Sequence, residues 1–246
     1  MGGVGQRHLK YDWCAARNIY TDDEMQAVYQ KMGDALRSTG RPIVYSLCQY
    51  GNAEVWKWGP DVGGNLWRTT GDIRDQWTSM IGIVARQVEL ADYARPGHWN
   101  DPDMLEIGNG GMSEIEYQAH MGLWSVLAAP LRAGNDLRDM PPSIKAILTN
   151  EEVIAVNQDK DGKQGRRLWN SGDQEIWVRE LTGGGKAVAL FNRGEGEAKV
   201  SAHWSDVKMS KPTSGRDVWA HKDVIFQGSD LSAMVPGHGV VMWVVR

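Results

Sequence analysis

The feature that most constrains this chain is a change of rhythm near residue 160. Upstream of it, short apolar runs alternate with segments of helical periodicity. Leu9-Lys10-Tyr11-Asp12 predicts a strand that ends in polar residues. Thr21-Asp22-Asp23-Glu24 forms a capping box and opens a helix to about Thr39, where Gly40 stops it and Pro42 bars its continuation. Ile43-Val44-Tyr45-Ser46-Leu47 is a second strand, and Trp67-Arg68-Thr69-Thr70 a third extended segment, with a helix expected from about Ile73 to Ala91. A second capping box, Ser113-Glu114-Ile115-Glu116, precedes a helix to about Ala128. Pro130-Leu131-Arg132-Ala133 reads as a further short strand, and Pro141-Pro142 opens another helix. Repeated strand-then-helix units imply a parallel sheet with crossover helices.

Downstream the helices stop. Segments 175–181, 186–193, 198–204, 217–226 and 239–245 are strand-like, separated by Gly183-Gly184-Gly185, Gly194-Glu195-Gly196 and similar turn signals. They predict a small antiparallel β-sandwich of ~80 residues. The polar, Gly-containing stretch Asp159–Gly165 serves as linker, dividing the chain into residues 1–160 and 161–246.

Composition excludes several classes. A net charge of −4 argues against a nucleic-acid partner. No stretch has the length of a membrane span. Met1-Gly2-Gly3 leads straight into polar residues without a secretory-signal pattern, and the compartment stays unassigned. Cys14 and Cys48 lie far apart and the six histidines are scattered, so neither a disulfide framework nor a metal-ligand spacing is present, and no cofactor is expected. Twelve tryptophans against two phenylalanines is an unusual balance. Most are read as core and rim packing, a minority as flat faces suited to sugar rings.

In β/α folds catalytic side chains gather at the C-terminal ends of strands. Asp12 ends the first strand, and Lys10, two residues earlier, faces the same side. Gln49 and Tyr50 follow the second strand, Arg68 lies within the third, Asp72 just beyond it, and Asp101 and Asp103 in Trp99-Asn100-Asp101-Pro102-Asp103-Met104. A carboxylate kept ionised by nearby cations, beside a second that holds its proton, is what retaining glycoside hydrolysis requires. Spacing alone leaves structural alternatives open. Asp72 could cap the following helix, Arg68 could be a structural ion-pair partner, and Asp101-Pro102-Asp103 could be an Asx turn. Both cysteines could be small buried apolar groups.

The motifs themselves resemble a known family. Leu9-Lys10-Tyr11-Asp12-Trp13-Cys14 is similar to the nucleophile strand of the α-galactosidases of glycoside hydrolase family 27. Trp67-Arg68-Thr69-Thr70-Gly71-Asp72-Ile73 is similar to its acid/base segment, and residues 96–112, from Pro96-Gly97-His98-Trp99 to Asn109-Gly110-Gly111-Met112, to its longest signature. Ala128-Ala129-Pro130-Leu131 and Val156-Asn157-Gln158-Asp159 also resemble family segments, in the family's order. The resemblance implies a (β/α)8 barrel that removes terminal α-galactose with retention and without a metal. Asp12 would be the nucleophile and Asp72, rather than the more conspicuous Asp101, the acid/base. Lys10, Arg68 and Asp103 would hydrogen-bond sugar hydroxyls. Gln49 stands where the family's α-galactosidases commonly carry a sugar-contacting Glu. This leaves selectivity among galactose, N-acetylgalactosamine and L-arabinopyranose open.

The family's barrel places three βα units before the nucleophile strand, whereas here that strand starts about eight residues in. The expectation is a partial barrel, strands four to eight, followed by the sandwich. Cys14 and Cys48 would lack the partners with which the family often pairs them. Raw barrel edges favour self-association. Three readings follow: an exo-acting α-galactosidase or close kin, a non-catalytic sugar-binding remnant, and a half-barrel completed by self-association or by a separately encoded N-terminal half.

Overall fold

In the computed structural model the structure describes residues 7–245. The first part is built on a parallel sheet in the order β1-β2-β3-β4, where β1 is His8–Asp12, β2 Val44–Cys48, β3 Leu66–Arg68 and β4 Trp99–Asp101. Its register pairs Lys10 with Ser46, Asp12 with Cys48, Leu47 with Trp67 and Arg68 with Asp101. Helix α1 (Met25–Ser38) follows the Thr21 capping box, in which Thr21 and Glu24 bond reciprocally. It lays Met25, Tyr29 and Gly33 against the sheet, where Trp13, Tyr45, Leu47, Val55, Trp58 and Trp67 complete an aromatic-rich core. The short α2 (Val55–Trp58) packs into the same cluster.

Helix α3 is shorter than the sequence pattern suggests, running Trp77–Arg86 rather than from Ile73 to Ala91. Tertiary bonds hold residues 73–76 out of the helix. Ile73 N–H donates to Asp103, Arg74 N–H to Ser79 Oγ, and Asp75 is taken up by the Tyr117 hydroxyl. At the far end Gln87 turns its buried amide to Thr69 and the Ile83 carbonyl.

Helix α4 (Glu114–Val126) has an apolar character on all sides, and residues 119–126 are buried without interruption. Such a helix must be covered on every side. It packs on the barrel side and also against the sandwich, with Ala187, Ala189, Phe191, Val240 and Met242 in the same cluster. Helices α5 (Pro142–Leu148, with Pro in its first turn) and α6 (Glu151–Asn157) close this part.

The segment Pro130–Ala133 forms no strand. It contributes one isolated parallel bridge, Leu105 with Ala133, carried by Leu105 N–H to the Arg132 carbonyl and Gly134 N–H to the Leu105 carbonyl. Pro130 has no N–H to extend that ladder. It still occupies the position beyond β4, so the parallel part is a partial barrel.

The second part is an antiparallel sandwich. Strands β5 (Arg166–Ser171), β6 (Gln174–Glu180), β7 (Lys186–Asn192), β8 (Ala198–His203), β9 (Ser214–Asp217), β10 (Lys222–Ile225), β11 (Asp230–Val235) and β12 (Val240–Val245) form a six-stranded sheet, β10-β9-β12-β7-β6-β5, and the pair β11-β8. Between them lies an apolar core with Ile176, Val188, Leu190, Val200, Leu231 and Trp243. The run 217–226 begins on the last residue of β9, crosses a turn and contains only β10, because Asp217 accepts from Trp219 and Ala220 N–H and closes that turn. Strands β5 and β11 are additions to the sequence reading. β5 is a polar edge strand broken by a bulge at Arg167/Trp169, so its alternation is weak.

Candidate active site

Asp12, Cys48 and Arg68 end three adjacent strands, and their parallel register brings those ends together. Side chains alternate along β1. Lys10 and Asp12 are exposed on one side, while Leu9 and Tyr11 are half-buried on the other.

Asp12 is held at Oδ1 by two hydrogen bonds. Its Oδ1 accepts from Cys14 N–H at 3.0 Å and from the Tyr50 hydroxyl at 2.6 Å. The Cys14 sulfur lies 3.0 Å from the same hydroxyl. Burial pushes the Asp12 carboxyl up. Bonds from the Cys14 thiol, the Tyr50 hydroxyl, the Cys48 thiol and Cys14 N–H outweigh it and hold the acid well below the usual carboxylate range. Cys48 is fully buried, and burial, against the pull of Lys10 and Arg68, pushes its thiol up to about 12. It is therefore a neutral donor beside an ionised Asp12. Both cysteines are free thiols.

Arg68 is buried, and its guanidinium is used on both sides. Nη1 meets Asp72 at 3.1 Å and Nη2 meets Asp103 at 2.9 Å. Nη2 also donates to the Thr70 and Gly71 carbonyls, which shape the turn that presents Asp72. Asp72 is exposed and lies outside any helix, since α3 begins at Trp77 with Gln76 as its cap. It is not a helix cap. Asp103 is buried with φ at 88°, in the left-handed region that few non-Gly residues adopt. The Trp124 indole N–H bonds its carbonyl at 2.8 Å, and its carboxylate takes Ile73 N–H.

Two further predicted residues sit differently. Gln49 has no exposed surface. Its amide donates to the Arg68 carbonyl at 3.2 Å, and its Oε1 has no protein partner among the described residues. In this arrangement it supports the Arg68 strand and offers no face to a sugar. Asp101 makes the Asx turn, accepting Asp103 N–H and pairing with Arg132, and is fully buried. Sequence reasoning noted Tyr50 only by position. Its left-handed φ of 63°, followed by Gly51, marks the turn that aims it, and no sequence pattern of its own signals that geometry.

The arrangement offers an ionised carboxylate bonded twice at Oδ1, a second exposed carboxylate tied through Arg68, and an exposed lysine, Lys10. The sequence profile described as alpha galactosidase A matches residues 3–159, and that described as the alpha galactosidase C-terminal beta sandwich domain matches residues 171–245. The chain belongs to the melibiase, or α-galactosidase, family. Alpha-galactosidase 2 of Arabidopsis thaliana is 44% identical over 241 residues, covering 97% of this chain and 60% of its own. The crystal structure of α-galactosidase I from Mortierella vinacea superposes with a TM-score of 0.92 at 34% identity, covering 97% of this chain and 67% of that one. A β-L-arabinopyranosidase of Geobacillus stearothermophilus gives a TM-score of 0.83 at 27% identity, covering 90% and 54%. The chain spans 57–60% of the length of the first curated relatives it matches.

Proposed function

We propose that this chain carries the catalytic carboxylates of a retaining glycoside hydrolase that removes terminal α-linked galactose. The observation that carries this reading is the pair of strand-end carboxylates: Asp12, ionised and bonded at Oδ1 by Tyr50, and Asp72, exposed and held by Arg68 at the next strand end but one. In the first step a lone pair of Asp12 Oδ2 bonds the anomeric carbon. The bond from that carbon to the leaving oxygen breaks, and Asp72 gives that oxygen its proton. In the second step Asp72 takes a proton from water, the water oxygen bonds the anomeric carbon, and the electrons of the glycosyl ester return to Asp12. Lys10 binds sugar hydroxyls. Arg68 and Asp103 set the acid/base turn from within the protein.

The similarity to a β-L-arabinopyranosidase supports a second specificity, for a sugar that shares galactose's ring stereochemistry without its hydroxymethyl arm. The barrel also needs covering. Among the described residues β1 pairs only with β2, and an apolar groove lined by Leu105, Leu131, Leu137, Met140 and Ile154 lies beyond β4. We propose that both edges are covered in the active form, by further βα units or by a second copy of the chain.

The test is release of a chromogenic aglycone from α-galactoside and β-L-arabinopyranoside. It is run on the chain alone and on the chain mixed with three N-terminal βα units of a relative. Product should depend on Asp12. Equal release by wild type and Asp12→Asn would overturn the hydrolase reading. Asp72→Asn should slow substrates with poor leaving groups far more than activated ones, because only the former need acid assistance. Equal losses would remove Asp72 from the acid role.

A further inference from the structure

Tyr50 takes part in the site in a way that the two-carboxylate scheme does not require. It follows β2 in a left-handed conformation, φ 63°, with Gly51 next at φ 81°. That turn can be made only without a side chain at residue 51, since a Cβ there would stand 2.2 Å from the Thr69 carbonyl oxygen. The fold thus accepts backbone strain at Tyr50 and a glycine after it, and the result is a phenol aimed at Asp12 Oδ1, 2.6 Å away. The ring lies 5.8 Å beneath the Arg68 guanidinium carbon, within range of a cation–π contact. Tyr50 therefore touches the groups that hold both carboxylates.

Its donor direction is fixed. A phenol has one proton, and Asp12 is the charged acceptor at 2.6 Å, so the phenol donates there, with the Cys14 sulfur 3.0 Å from its oxygen. Burial and the bonds to Asp12 and Cys14 raise the phenol's own pKa, so it is a donor at neutral pH.

We propose that Tyr50 is a positioning residue that selects the attacking oxygen of Asp12 and assists departure of that carboxylate in the second step. The proposal rests on the hydrolase reading above. Tyr50 and Cys14 N–H both occupy Oδ1, so the attacking lone pair is assigned to Oδ2, which neither of them bonds. In the glycosyl ester Oδ1 is the carbonyl oxygen. As the bond from the anomeric carbon to Oδ2 breaks, negative charge returns to the carboxylate, and the phenol bond at Oδ1 strengthens as that charge grows. A hydrogen bond that tightens in the transition state lowers the barrier of that step. The same bond makes the resting carboxylate less basic, so it moderates the first step.

The other groups facing Asp12 are Cys14 after β1, Tyr29 on α1 and Cys48 on β2, with Lys10 on β1 and Arg68 on β3 acting in turn on Cys48. All remain in Tyr50→Phe, which removes one hydroxyl and keeps the ring under Arg68. Carbon-13 titration of the Asp12 carboxylate compares wild type, Tyr50→Phe and a chain carrying 3-fluorotyrosine at position 50, whose more acidic phenol donates more strongly. The Asp12 midpoint should rise by about one pH unit in Tyr50→Phe and fall with 3-fluorotyrosine. With an activated α-galactoside, kcat should fall about tenfold or more while kcat/KM changes little, and glycosylated Asp12 should accumulate in quenched samples by mass spectrometry. An unchanged Asp12 midpoint across the three proteins overturns the proposal, as does a kcat/KM loss equal to the kcat loss. The titration needs no turnover. A chain in which Asp12→Asn leaves product release unaltered therefore fails the hydrolase reading, while the titration still decides the Tyr50 bond.

Discussion

The Arg68 guanidinium meets the Asp103 carboxylate at 2.9 Å with both side chains almost fully buried. One residue comes from a strand and the other from a left-handed turn after the next strand, so the pair locks two strand ends together. Removing one member of a buried pair leaves the other charged and unpaired, which typically costs about 3–5 kcal/mol. Arg68→Met is therefore expected to lower stability by that order, and Arg68→Lys to recover only part, because an ammonium cannot span Asp72, Asp103 and two carbonyls at once. Urea unfolding of both variants and of Asp103→Asn measures it. A cost below about 1 kcal/mol for Arg68→Met would mean that the pair is not buried as described.

Gly51 and Gly40 provide a matched comparison. Both have positive φ, 81° and 65°, but a Cβ at Gly51 meets the Thr69 carbonyl at 2.2 Å while one at Gly40 meets nothing within 4 Å. Gly40→Ala should cost about 1–2 kcal/mol from backbone strain alone. Gly51→Ala should cost clearly more, and should also displace Tyr50 from Asp12. Thermal melts of the two variants give the comparison, and equal shifts would count against the close approach.

His120 is buried in α4 beside Trp124, with neither ring nitrogen bonded to protein among the described residues. Burial pulls its pKa down from 6.5 to about 3. As pH falls below about 6.5 the unfolded chain takes up the proton first. Stability should then fall by up to about 1.4 kcal/mol per pH unit until the folded form is protonated near pH 3. His120→Leu removes this slope. Parallel stability–pH curves for the two proteins over that window would refute the burial argument.

Glu152 on α6 bonds Arg216 on β9 and His221 in the following turn, so this cluster ties the parallel part to the sandwich. Arg216 chiefly, helped by His221 and opposed by burial, holds the Glu152 carboxyl at about 2. A depressed carboxylate contributes stability above its ordinary value of 4.5, and loses it as pH falls towards 2. The advantage of wild type over Glu152→Gln should therefore shrink across that interval, and shrink again in high salt, since the cluster is partly exposed. Melting temperatures at several pH and salt values test it. A constant difference would exclude the linkage.

The division between what was legible in the sequence and what was not follows the range of the interactions. Capping boxes and Pro-initiated helices are local devices, so the helix starts at Thr21, Ser113 and Pro142 were readable from adjacent residues. Repeated strand-then-helix units, and then strand-like runs between glycine turn signals, likewise predicted the parallel-then-antiparallel architecture. The start of α3 was not readable, because Ile73 N–H goes to Asp103, thirty positions away. Nor was the loss of a strand at Pro130–Ala133, whose ladder depends on a single partner, Leu105.

The same holds within the site. The sequence by itself determined which carboxylates end which strands, because that depends on strand position and motif. Only the tertiary structure decided what each touches. It buried Gln49 under Arg68, gave Asp101 an Asx turn, left Asp72 uncapped and exposed, and set the Tyr50 hydroxyl on Asp12. These outcomes depend on register between strands and on left-handed turns at Tyr50 and Asp103, where packing from Thr69 and Trp124 overrides local preference.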